Sequence, residues 1–304
     1  MTFSHAVSTN NYGPAKFIVS SSAANGTHTT IAAAITSASS GDTIFIRPGT
    51  YTENLTLKAG VNLTAFECDG SLNGSGNVII VGKCTFTAAG SVTISSIQLQ
   101  TNSDFLLAVT GIAASIVNLN NCYLNCTNNT GISYTSSSAS SAVNFQMCSG
   151  DITTTGIALF SASGSGSLGF IHCKITASGN SVTASTSSAG SIYAYWSEVN
   201  TPFSISSAGT VTLLWAFISL ANATAVTTAG TGAHVIHLCW LTCGTASCVS
   251  IGAGTIVSIT SSTMSSSNAN VLTGAGTLTY SVIAFGGSSS GHNVTTETAL
   301  GSLL

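Results

Sequence analysis

Charge is what this sequence has least of. Of its 304 residues, 5 are Lys or Arg and 8 are Asp or Glu, 4% in all, where soluble proteins average about 25%. The five cations, Lys16, Arg47, Lys58, Lys83 and Lys174, are too few to neutralise a phosphate backbone, so no nucleic-acid partner is expected. Disorder is excluded from the other side. It requires low hydrophobicity with high net charge, whereas 44% of these residues are apolar and the net charge is −3. Long apolar runs are missing as well. Mean hydropathy is +0.47, yet no stretch approaches the roughly 18 unbroken apolar residues of a spanning helix, and no membrane insertion is expected. The opening MTFSHAVSTNNYGPAKF lacks the basic and apolar segments of a secretory signal, so no Sec export is expected. There is no CxxC pair, and the 9 cysteines are odd in number. A metal site or disulfide framework is therefore disfavoured, and no metal or cofactor is expected.

What the chain does have is alternation. Apolar residues alternate with Ser, Thr and Asn in VTISSIQLQ, IVNLNNCYLN and TIFIR, the period of a half-buried strand. These segments recur. GSVTISSIQLQT from Gly90, SIVNLNNCYLN from Ser115, AVNFQMCSG from Ala142, GSLGFIHCKIT from Gly166 and GSIYAYWSEVN from Gly190 share one frame. GTVTLLWAFIS from Gly209, GAHVIHLCWLT from Gly232 and TIVSITSSTMS from Thr255 continue it, each 19 to 27 residues from the next. A unit this short cannot bury its own apolar face, so neighbours must stack and share a core. The expected fold is all-β: a single-stranded right-handed parallel β-helix, a solenoid of about eleven or twelve coils. At one strand spacing per coil it would be roughly 50 to 60 Å long.

In the repeat frame two inward columns read Val92, Val117, Val143, Leu168, Ile192, Val211 and Ile94, Leu119, Phe145, Phe170, Ala194, Leu213. A third holds Ile97, Cys122, Cys148, Cys173, Ser197, Ala216, Cys239 and Ser261. Cys122, Cys148, Cys173 and Cys239 thus form a core ladder of small buried hydrophobes. Cys126 and Cys243 repeat the pattern one position later, while Cys68, Cys84 and Cys248 have no assigned place.

Near the start, Ile31, Ala34, Ile35 and Ala38 fall at helical spacing behind Thr residues, which predicts a short amphipathic helix capping the first coil. The organisation expected is an arm and capping helix over 1–39, a β-helix over 40–285, and a C-terminal cap or assembly tail over 286–304. Directly after the helix, SGDTIFIRPGTYTENLTLKAGVNLTAF, residues 40–66, resembles the opening of pectin-lyase-like right-handed β-helix proteins. There a capping helix leads into GDTI-x-x-x-PGTY-x-E-x-[LI]. The resemblance implies a superfamily that holds polysaccharide lyases, esterases and hydrolases beside non-enzymatic virion and surface fibres. The Ser/Thr/Asn/Gly-rich coils, with endings such as GTLTYSVIAFGGSSSGHNVTT, are similar to β-helix fibre proteins of tailed phages and environmental viruses.

Sugar cleavage needs clustered carboxylates. The inventory is Asp42, Glu53, Glu67, Asp69, Asp104, Asp151, Glu198 and Glu297, at unrelated frame positions, so no catalytic residue is expected. Asp69 and Asp104 would be the first to change if glycan-cleaving activity were found. Asp42 and Glu53 read as turn and strand-edge residues, His172 as outward. The outward positions are polar in early coils: Thr93, Ser95, Ser96 and Gln98, then Asn118, Asn120 and Asn121, then Asn144 and Gln146. They then turn apolar and aromatic: Ile171, Tyr193, Tyr195, Trp196, Leu214, Trp215, Phe217, Leu238 and Trp240. Such a patch exceeds what a soluble monomer exposes, which marks a subunit interface or a glycan-contact platform. The aliphatic members favour the interface. The expectation is a structural fibre or appendage protein, on a virion or extracellular. Its partner would be itself, as a trimer or head-to-tail filament, with a cell-surface polysaccharide as a second partner; a bacterial filament or adhesin is the alternative.

Overall fold

The computed structural model describes residues 16–66, 78–101, 106–111, 113–127, 131–153, 160–178, 184–186, 190–200, 202–205, 208–221, 223–267, 270–286 and 291–299. Glu67, Cys68, Asp69 and Asp104 lie outside them, as do the side chains of Asp151 and Glu297.

The alternation folds as a parallel β-solenoid. Each regular coil has three strands, the first being Thr43–Ile46, Gly49–Thr52 and Leu55–Thr56. Each strand pairs in parallel with its counterpart one coil on, giving three stacked faces. Among the described residues nine coils have this three-strand form, the ninth being Ala233–His237, Trp240–Cys243 and Val249–Ile251. The count falls short of the eleven or twelve expected because the two ends are built differently. At the start a lone strand, Phe17–Val19, lies on Thr43–Ile46. At the far end strand pairing runs on through the corners, and strands merge into Ile256–Ser266 and Asn270–Gly286. Gly291–Ala299 then pairs in parallel on Asn270–Gly286. The parallel stack thus starts before residue 40 and continues past 285.

Inward columns run in register along the first face. Val92, Val117, Val143, Leu168, Ile192 and Val211 are direct partners and all are buried. So are Ile94, Leu119, Phe145, Phe170, Ala194 and Leu213, where the rings of Phe145 and Phe170 stack at 5.1 Å. At the corner after this face, Ile97, Cys122, Cys148, Cys173, Ser197, Ala216 and Cys239 are buried. The last member of that column is Ser262, not Ser261: Ser262 is buried and Ser261 exposed. Cys122, Cys148 and Cys173 are piled in file. Their thiols donate to the carbonyls of Ile94, Leu119 and Phe145 in the preceding coil, at 3.3, 3.2 and 3.4 Å. Ser197 satisfies the same place differently, accepting from the Cys173 N–H at 3.0 Å and donating to its own Tyr195 carbonyl at 2.9 Å. All eight described cysteines are buried thiols outside any disulfide.

The helix forms where its apolar spacing put it, Ile31–Ser37, with Ile31, Ala34 and Ile35 buried. Thr30 caps it, its hydroxyl accepting from the Ala33 N–H. Glu53 is more than a strand-edge residue. Its two carboxylate oxygens accept from the Ile31 and Ala32 N–H groups, both at 3.0 Å, satisfying two donors that a helix start leaves open. Asp42 accepts from Ser39 N–H at 2.7 Å and pairs with Lys16 at 3.4 Å. Among the described residues, no helix is long and apolar enough to cross a membrane.

Candidate functional site

From the coil of Ser96 onward, the chain turns from its first to its second face through two residues, one exposed or half-exposed and one buried. The outer residue is left-handed in eight coils: Ser96, Asn121, Met147, His172, Trp196, Trp215, Leu238 and Ser261, with φ from 49° to 57°. Seven of these corner N–H groups donate to a carbonyl of the following coil, from Ser96 to Asn120 at 2.9 Å through to Leu238 to Thr260 at 3.1 Å. The ladder therefore runs through the corner without a break, and it holds the backbone in a conformation that costs a bulky residue roughly 1–2 kcal/mol. Ser and Asn suit the position. Trp, Leu and Met do not, and residues kept against a local backbone cost are candidates for function.

The early coils use the corner quietly. Asn121 donates through its side-chain amide to Ser96 Oγ at 3.2 Å, and on the first face Asn144 donates to Asn118 at 2.9 Å. From His172 to Trp215 the corner is aromatic. His172 and Trp196 stack with centroids 6.3 Å apart, and Trp196 and Trp215 stack at 4.8 Å with only 6° between ring planes. One residue column further round, Phe217 and Trp240 stack at 6.1 Å and 10°. Trp196, Trp215, Phe217 and Trp240 are 55%, 43%, 52% and 54% exposed. Rings one coil apart turn their faces to each other and present their edges outward, which makes a ridge.

The column holding Phe217 and Trp240 also holds Lys174 and Glu198, direct partners in the register. Their ammonium and carboxylate pair at 3.3 Å in the open. Asn200 donates to the second Glu198 oxygen at 3.3 Å and accepts from the Ser219 N–H at 3.0 Å. Between ridge and ion pair lies an open groove of about 440 Å³ lined by His172, Cys173, Lys174, Trp196, Ser197, Glu198, Trp215 and Phe217.

The expected patch is thus partly assembled. Trp196, Trp215 and Phe217 line the groove and Trp240 extends it. Ile171, Tyr195 and Leu214 form the adjoining column of the first face and are half-buried. Tyr193 is turned away. Its ring lies back over Gly169, where an added Cβ would come within 2.0 Å of it, and its hydroxyl donates to Asn144 Oδ1 at 2.7 Å. Lys174 and Glu198 were missed as site residues, although counting the register from the Cys column outward places both beside the aromatics.

Behind the exposed corner the thiols of the core are buried. Hydrogen bonding from Cys122 and burial push the Cys148 thiol up, Cys148 and burial do the same to Cys173, and burial raises Cys84 to about 12 and Cys239 to about 11. Such thiols are poor nucleophiles. His234 occupies the inward column after Val211. It is 1% exposed, accepts from the Val211 N–H through Nδ1 at 3.1 Å, and leaves Nε2 without a partner. Burial pushes its pKa down to about 4. Among the described residues no group of three or more His, Cys, Asp or Glu is placed to hold a metal ion. No family model, curated protein or solved structure matches this chain.

Proposed function

We propose that this chain is a non-enzymatic structural protein, a fibre or appendage subunit of the β-helix kind that associates with copies of itself through its aromatic corner. The exposed ring ladder of Trp196, Trp215, Phe217 and Trp240 carries this reading. Four large rings together in water are a liability for a monomer, and two strained corner residues, Trp196 and Trp215, help to build the ladder. The scarcity of charge supports it, because charged surface keeps copies apart. So do the carboxylates whose contacts are described, each engaged structurally: Asp42 with Lys16, Glu53 at the helix start, Glu198 with Lys174. A glycan platform is the weaker reading of the corner, since sugar rings stack on open aromatic faces and here the faces are turned towards one another. Kinship with pectin-lyase-like proteins and a place on a virion are supported by the GDTI and PGTYTEN segments and by the hydroxyl-rich coils.

Electron microscopy of the purified chain over a range of concentrations tests the proposal. Rods associated side by side are expected. Single rods at every concentration, together with cleavage of a glycan from a panel, would overturn it.

A further inference from the structure

The second-face column beside the corner reads, coil by coil, Gln98, Tyr123, Ser149, Lys174, Glu198, Phe217, Trp240, Thr263. Its two halves are complementary about the midpoint between Lys174 and Glu198. Reversed and laid on itself, the column sets cation against anion, small Ser149 against large Phe217, Tyr123 against Trp240, and Gln98 against Thr263. The corner column is complementary in part about the same level: His172 meets Trp196, Met147 meets Trp215 and Ser96 meets Ser261, while Asn121 falls opposite Leu238. Self-complementarity under reversal is the requirement of a two-fold, isologous contact, in which residue i touches j and j touches i.

We propose that the partner on this corner is a second copy of the chain, running antiparallel, with the two-fold axis passing between the coils of Lys174 and Glu198. This rests on the self-association proposed above and adds its geometry. Parallel packing about an axis along the rods would bring each level against itself, setting Lys174 near Lys174 and Glu198 near Glu198, and like charges in a contact oppose it. Antiparallel packing converts both into attractions. The side chains are placed for it, 70% and 40% exposed. The area is sufficient for a modest dimer. Four half-exposed rings, at 150–250 Å² each when covered, contribute about 400 Å² per copy. With Met147, itself 46% exposed, and the flanking charged side chains, the pair reaches the total of about 1,000 Å² that a specific interface needs.

Single cysteines at the two ends of the column test the geometry, using a short bis-maleimide and the unsubstituted chain as background. Gln98 and Thr263 lie seven coils apart, roughly 34 Å along the axis. A mixture of Gln98→Cys and Thr263→Cys chains is expected to give a cross-linked dimer, at least tenfold more than either variant alone. Cross-linking of Gln98→Cys to itself would overturn the antiparallel geometry and leave self-association standing. A chain that light scattering finds monomeric at every concentration would overturn both. Circular dichroism of each variant keeps loss of fold from being read as loss of contact.

Discussion

The coils around Asn121 and the coils around Trp196 have the same backbone and different surfaces. Both turn through a left-handed corner with φ near 50°, both bury a small residue immediately after it, and both pass the ladder through the corner N–H. In the first the outward side chains are amides and hydroxyls that hydrogen-bond along the rod. In the second they are rings stacked on edge beside an ion pair. Stability in a solenoid comes from the inward columns and from neighbour on neighbour, so it is indifferent to this change. What differs is what the rod can meet.

That separation can be broken or sharpened. The largest effect belongs to the inside, which the two regions share. Phe170 lies between Phe145 at 5.1 Å and Phe203 at 6.3 Å, and Phe170→Ala should cost about 3–5 kcal/mol, read as a fall in the denaturation midpoint by circular dichroism. Next comes His234, an imidazole in a column otherwise built from Val, Leu and Ile. Its folded pKa of about 4 lies below the ordinary 6.5, so between those values the unfolded chain binds the proton that the folded chain refuses. The contribution of His234 to stability is therefore flat above pH 6.5 and falls as pH drops from 6.5 to 4, by about 3 kcal/mol in all. His234→Val should abolish that acid slope in urea titrations at pH 7 and pH 4.5; an unchanged slope would place the titrating group elsewhere. Smaller still is Cys148→Ser. Ser197 shows that the column accepts a hydroxyl, so the cost should be about 1 kcal/mol or less, and the folded protein should not react with iodoacetamide at this column. The smallest effect on stability belongs to the corner. Asn suits the left-handed position, so Trp196→Asn with Trp215→Asn should leave the midpoint within about 1 kcal/mol of the parent while removing self-association.

The inside was more legible than the outside. Column membership follows from a period of two within a frame that recurs in every repeat, which is why Val92 to Val211 and the file of Cys122, Cys148 and Cys173 could be read without coordinates. Errors entered where neighbouring residues are chemically alike. Ser261 and Ser262 are adjacent hydroxyls, and composition cannot say which turns inward; only the corner backbone does. Histidine by type favours the surface, and it is the place of His234 in the register after Val211 that puts it in the core. Tyr193 was grouped with the exposed aromatics because nothing local reveals that Gly169, one coil earlier, leaves room for its ring. The Lys174–Glu198 pair is 24 residues apart in sequence and one coil apart in space, so it becomes visible only once coils of unequal length are placed in register. The coil count was high because the ends of the stack are built from a lone strand and from merged strands, which the repeat frame does not reveal.

Sedimentation of the parent chain beside the Trp196→Asn, Trp215→Asn variant, at matched concentration and with matching circular dichroism, tests the account most directly. A parent that forms dimers or larger species and a variant that sediments as a monomer is the predicted outcome. Equal association of the two would mean that the ring ladder is not where copies of this rod meet.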